Sequence, residues 1–184
     1  EVAADGKKVP LIDRDLFYGI KRPKVENVKE TGVLTSEQVH RLLNSIETQT
    51  LSGKLHHALC ATLFGTGRRS AAVRFIKRGD IDRESDHWVV RVTTKGGKKE
   101  KRILLPLVFE SIQRYISTLE NNGVTIGNND YIFQAPPLRA RAKVSGKPIT
   151  ANALHKIVKK YCAKIGLKDS NVFRFCAHSA RGTY

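Results

Sequence analysis

The sequence lacks a cysteine framework. Its three cysteines, Cys60, Cys162 and Cys176, lie far apart, are odd in number and form no CxxC pair. A disulfide scaffold and a zinc site are therefore not expected, and the thiols read as buried side chains of a reducing compartment, the cytoplasm. No apolar run approaches the roughly 20 residues that a membrane span needs, and no secretory signal opens the chain. Internal repeats and low-complexity tracts are absent. So is the GxxxxGK[ST] spacing of a Walker loop, which argues against nucleotide hydrolysis of that kind. Acids are scarce as well: 17 Asp and Glu stand against 33 Lys and Arg, for a net charge of +16 and a pI near 10.0.

What is present fits one domain with a core. Hydrophobic residues make up 40% of the 184 residues, enough for a globular chain. The basic excess repels itself unless an anion binds it, and nucleic acid is the usual partner because each neutralised phosphate releases a counterion. A membrane surface fits less well, since no basic amphipathic helix stands out.

The first 33 residues read as a lead-in, the end of an upstream domain or its linker. They are punctuated by glycine and proline, with a basic stretch at Lys21-Arg22-Pro23-Lys24. Structure then starts sharply. Thr35-Ser36-Glu37-Gln38 has the form of a capping box, and Val39, Leu42, Leu43 and Ile46 follow at helical spacing. A second helix is expected from Lys54 to Phe64, ended by Gly65 and Gly67, and a short third from Ser70 to Lys77. Trp88–Thr94 and Arg102–Leu105 are β-rich, with Lys95-Gly96-Gly97-Lys98-Lys99 as the turn between them. Further helices are expected from Leu107 to Leu119 and from Thr150 to about Ile165. Tyr131-Ile132-Phe133 reads as a short strand, and residues 134–148 as a basic loop. The expected fold is α+β, mostly α-helical, with a small antiparallel sheet.

Three basic places can do chemistry. Gly65-Thr66-Gly67-Arg68-Arg69 lies at a break between helices, where Arg69 and a helix start can meet an anion. Lys95, at the hairpin tip, can swing into a groove and donate a proton, with glycines that let the backbone approach a phosphate chain. His178 and Arg181 are three apart and share a face on a helix, a pairing in which one group moves a proton and the other holds charge. Each place alone is as easily an ordinary charged surface.

Together they are specific. The order of arginine, hairpin lysine and His-x-x-Arg resembles the tyrosine recombinases, the phage-integrase family. Thr66-Gly67-Arg68-Arg69 followed by Gly79-Asp80-Ile81-Asp82 is similar to the family's TGLR…DID block without a gap. Lys95-Gly96-Gly97-Lys98 through Pro106-Leu107 is similar to its GKGxK…VPL hairpin. His178-Ser179-Ala180-Arg181-Gly182-Thr183 is similar to its HxLRHT helix. The lead-in before Leu34-Thr35-Ser36 is similar to the linker entering the family's catalytic domain, so residues 34–184 would be that domain.

The resemblance implies roles. Arg69 and Arg181 would grip the scissile phosphate, Lys95 would protonate the leaving 5′-oxygen, and His178 would assist proton transfer. Lys98, Lys99, Lys101, Arg139, Arg141 and Lys143 would contact the DNA backbone. The implied reaction cleaves and rejoins double-stranded DNA through a 3′-phosphotyrosine, without metal, ATP or other cofactor, in a homo-tetramer at the nucleoid. No tyrosine here matches the nucleophile: Tyr18, Tyr115, Tyr131 and Tyr161 all precede His178, and Tyr184 falls at an ordinary apolar position. The nucleophile is therefore expected beyond Tyr184. Departures from the pattern are Arg68 for an apolar residue, Ala72 for the acid that orients the first arginine, and Ala180 and Gly182 for leucine and histidine. Two other functions fit the same residues: a type IB topoisomerase, and a DNA-binding module that has lost catalysis.

Overall fold

A computed structural model of the chain describes residues 34–94, 97–135 and 145–167. All lie within one unit, Thr31–Tyr184. They form five α-helices, a 3-10 turn and three strands.

Helix α1 (Ser36–Asn44) starts as the capping box predicts. Thr35 Oγ1 accepts from the Gln38 N–H at 3.2 Å, and Gln38 Oε1 accepts from the Thr35 N–H at 2.9 Å. Helix α2 (Leu51–Thr66) is longer than expected at both ends. Thr50 caps its start by accepting from the Gly53 N–H at 3.0 Å. Gly65 does not stop it: the helix runs on to Gly67, whose φ of 59° is the left-handed cap that glycine accepts without cost.

Every residue from Ala58 to Phe64 is buried. A helix apolar on all sides belongs at the centre of a core, and α2 occupies that place. Helix α4 (Pro106–Asn121), with Pro106 at its first turn, packs along it. The close approach falls at Gly65, where a Cβ would lie 2.6 Å from Val108 Cγ2. Helix α5 (Ala151–Lys164) adds Leu154, Ile157, Val158, Tyr161 and Cys162, with Thr150 accepting from the Ala153 N–H at 3.1 Å. Burial pushes the Cys60 thiol up to about 12 and that of Cys162 to about 11, so both are protonated at neutral pH, as expected for core thiols.

Beside the helices lies an antiparallel sheet in the order β1 (Ile81–Glu84), β2 (His87–Thr93), β3 (Lys99–Leu104). Strands β2 and β3 are the expected hairpin, in register from Trp88–Leu104 to Thr93–Lys99. Strand β1 was not foreseen. It is four residues long and carries Asp82, Arg83 and Glu84, the composition of a protected edge rather than of a core strand. Pleat alternation puts Val90, Val92 and Leu104 on the buried face and Arg91 and Lys101 on the other. On that outer face Arg91 pairs with Asp82, and Lys101 Nζ meets Glu84 Oε1 at 2.7 Å.

Tyr131-Ile132-Phe133 forms no strand. Tyr131 makes an isolated bridge to Lys77, and Gln134 makes one to Pro148. Gln134 is wholly buried. Its Nε2 donates to the Tyr131 carbonyl at 2.7 Å and its Oε1 accepts from the Gly146 N–H at 2.6 Å, so one amide ties together the two ends of the basic loop. Among the described residues, no helix is long and apolar enough to cross a membrane.

Candidate functional site

The turn after α2 sets the site. Gly67 ends the helix, and Arg68 and Arg69 lead into α3 (Ser70–Arg74). Val73 and Ile76 anchor this short element in the core. At five residues, α3 has little dipole to offer an anion, so the charge at this corner is that of the guanidiniums.

The two adjacent arginines have opposite fates. Arg68 Nη2 lies 2.8 Å from Glu100 Oε2 on β3 and is mostly covered, with 19% of its side chain exposed. Arg69 is exposed and has no carboxylate partner among the described residues. An arginine left unpaired in a basic surface is available to an anion.

Arg69 opens onto a groove of about 810 Å³ between α3 and the β2–β3 hairpin. One wall is Thr93, Thr94, Lys99 and Glu100 of the hairpin; the other holds Ala71, Ala72 and Phe75 of the α3 corner, with Lys77 and Tyr131. Phe75 and Tyr131 meet edge to face with centroids 5.8 Å apart, and Lys77 Nζ sits 5.6 Å from the Tyr131 ring. Sequence reasoning missed this aromatic lining, because nothing in the local pattern separates Phe75 from a core residue. The Asp80 carboxylate accepts the Lys77 N–H at 2.8 Å, and the Gly79 N–H donates to the Asn128 carbonyl at 2.9 Å. This is the structural use of the Gly79-Asp80 block: it turns the chain from α3 into the sheet.

Of the sequence candidates, Arg69 and Lys99 share the groove, and Lys98 is exposed at the hairpin turn. Lys101 is also exposed, but it faces the other side of the sheet in its pair with Glu84. Lys95, Arg139, Arg141, Lys143, Cys176, His178 and Arg181 lie outside the described residues. The residues flanking Lys95 close a tight turn: Thr94 N–H to the Lys98 carbonyl is 2.7 Å, and Gly97 N–H to the Thr94 carbonyl is 3.1 Å. Tyr115 and Tyr161 are core residues, as their helical positions predict. Burial raises the pKa of the Tyr115 hydroxyl, the reverse of what a nucleophile needs. Ala72 is half-buried and presents a methyl group where the recombinase pattern has an acid.

Comparison with known proteins bears on the family and the fold. The model of the phage integrase family matches residues 32–184. The tyrosine recombinase XerC of Pelotomaculum thermopropionicum is 27% identical over 165 residues, 86% of this chain and 49% of that protein. A putative tyrosine recombinase of Caldanaerobacter subterraneus subsp. tengcongensis, TTE1313, is 29% identical over 154 residues, 84% of this chain and 48% of that protein. The chain thus spans about half the length of these relatives. Among solved structures, the fold is similar to XerH bound to its difH substrate in a pre-cleavage complex, with a TM-score of 0.63 and 22% identity over 84% of this chain and 41% of that one. XerA recombinase is similar with a TM-score of 0.57 and 18% identity, over 83% of this chain and 48% of that one. The hairpin, the Arg69 turn and the family match over residues 32–184 lead to one conclusion: this chain belongs to the phage integrase family of tyrosine recombinases.

Proposed function

We propose that this chain is the part of a site-specific DNA recombinase that grips and activates the scissile phosphate. The observation that carries the reading is Arg69: an exposed guanidinium in no ion pair among the described residues, opening onto a groove walled by the hairpin that bears Lys95. Attack on a phosphodiester builds negative charge on the non-bridging oxygens. Fixed guanidiniums stabilise that charge, and Arg69 with Arg181 would do so. The leaving 5′-oxygen needs a proton, which Lys95 at the hairpin tip would give, with His178 assisting transfer. A tyrosine would attack the phosphorus, and the phosphotyrosine would keep the bond energy for rejoining, so neither ATP nor metal is required.

Duplex DNA would lie across the basic face, with Lys98, Lys99, Arg139, Arg141 and Lys143 against its backbone. Lys101, held by Glu84 on the outer face of the sheet, would contribute least. XerH was solved on its DNA substrate, which supports the same class of ligand here. The whole protein would act in the cytoplasm as a tetramer on two duplexes.

Arg69→Ala and Arg181→Ala separate chemistry from binding. Each is expected to slow cleavage on the order of a hundredfold or more. Each should leave duplex affinity within about fourfold, since one phosphate contact among many is lost. Equal collapse of affinity, with no cleavage by the unaltered protein, would favour a DNA-binding module without catalysis, the reading that Ala72 allows.

A further inference from the structure

The Arg68–Glu100 pair is unusual for its place. It joins the turn that carries Arg69 to the hairpin strand that follows Lys95, across a long stretch of sequence. It is a substantial contact: Nη2 to Oε2 is 2.8 Å, with only 19% and 29% of the two side chains exposed. The same Glu100 oxygen accepts from Arg102 Nη2 at 3.1 Å, so one carboxylate sits between two guanidiniums on one strand face. Glu100 is also the only acid in the run Lys95–Arg102. Its position is fixed by register: it pairs with Val92, one step below the Thr93–Lys99 rung that ends the ladder at the turn.

Ala72 gives Arg69 no acid within its own helix, so the turn needs another anchor. Arg68, spent on Glu100, supplies one. We propose that the Arg68–Glu100 ion pair is a positioning device that holds the β2–β3 hairpin against the Arg69 turn, so that the hairpin tip and Arg69 address the same phosphate. The inference rests on the strand-transfer reading above. The turn is anchored in the core through α2 and Val73, whereas Glu100 lies one rung from the end of the β2–β3 ladder. Breaking the pair therefore displaces the hairpin rather than Arg69, and the loss falls on proton donation to the leaving oxygen.

The test uses the longest gene product that contains this chain. Cleavage is measured on a normal duplex and on one with sulfur in place of the 5′-bridging oxygen. Sulfur leaves as a thiolate and needs no proton, so a defect that appears on oxygen and is relieved on sulfur is one of proton donation. Arg68→Leu and Glu100→Gln should each slow cleavage of the oxygen substrate about tenfold to a hundredfold, the cost of a misplaced group. Arg68→Lys should keep most of the rate. On the sulfur substrate the Arg68→Leu and Glu100→Gln defects should shrink to about threefold or less, as should that of Lys95→Ala. Melting temperatures should stay within about 3 °C, as befits a partly exposed pair. Two outcomes overturn the inference while leaving the proposed function intact: cleavage within about twofold of normal in both variants, or a defect of equal size on oxygen and sulfur substrates. No cleavage by the unaltered protein would instead sink the strand-transfer reading, and this inference with it.

Discussion

Neighbouring residues of one type do different work when their partners differ. Arg68 and Arg69 are indistinguishable by charge, yet Glu100 pairs with the first, and the second is in no ion pair among the described residues. The same logic separates the tyrosines. Tyr115 is fully buried, and its hydroxyl has no hydrogen-bond partner among the described residues. A buried, unpaired hydroxyl costs about 1–3 kcal/mol. Tyr115→Phe removes that atom and keeps the ring, so stability should hold or rise by up to about 1 kcal/mol. Urea unfolding checks this; a loss of more than about 1 kcal/mol would show that the hydroxyl has a partner that the fold depends on. At this scale Arg69 was legible, because an arginine after a glycine-terminated helix stands out. Its contrast with Arg68 was not, because the acid that decides it is on a distant strand.

Elements followed the sequence where local chemistry decides. The capping box at Thr35 and the β-rich arms of the hairpin speak for themselves, and both stand where expected. Local signals failed where packing decides. Gly65 reads as a helix stop, but α2 continues through it because α4 needs the space that a side chain would fill. Strand β1 was hidden by its charges, since an edge strand paired on one side need not alternate cleanly. Gly65→Val tests the packing account. It drives a branched side chain into Val108, and overpacking of this kind costs about 1–3 kcal/mol. Adding Val108→Ala should recover part of that loss. A thermal melt unchanged by Gly65→Val would mean the α2–α4 approach is looser than the geometry implies.

Across the whole molecule, charge and core set the working conditions. Two histidines of α2 face cations: His56, which shares a 3.0 Å hydrogen bond with Tyr161, lies near Lys160, and His57 lies near Arg114. Burial first, and these cations second, lower both pKa values below the usual 6.5. The unfolded chain therefore takes up protons first as the pH drops. Their contribution is neutral above the unfolded value of 6.5 and turns against the fold as the pH falls below it, until the folded values are passed. A His56→Gln, His57→Gln double variant should lose less stability between pH 7.5 and pH 5.5 than the parent, read from urea midpoints at each pH. An identical loss would show that the carboxylates alone carry the acid sensitivity.

The net charge of +16 fits a duplex partner, and the family match covers the whole described fold. Covalent chemistry at a phosphate is what separates a recombinase from a DNA-binding module of the same fold. The most direct measurement incubates the longest product of this gene with a nicked suicide duplex, looks for a protein–DNA adduct that survives denaturation, and maps the modified residue by mass spectrometry. The expected adduct is a tyrosine joined to the 3′-phosphate, at none of Tyr18, Tyr115, Tyr131, Tyr161 or Tyr184, and it is lost in Arg69→Ala. Tight, salt-sensitive binding with no adduct on cognate DNA would contradict it.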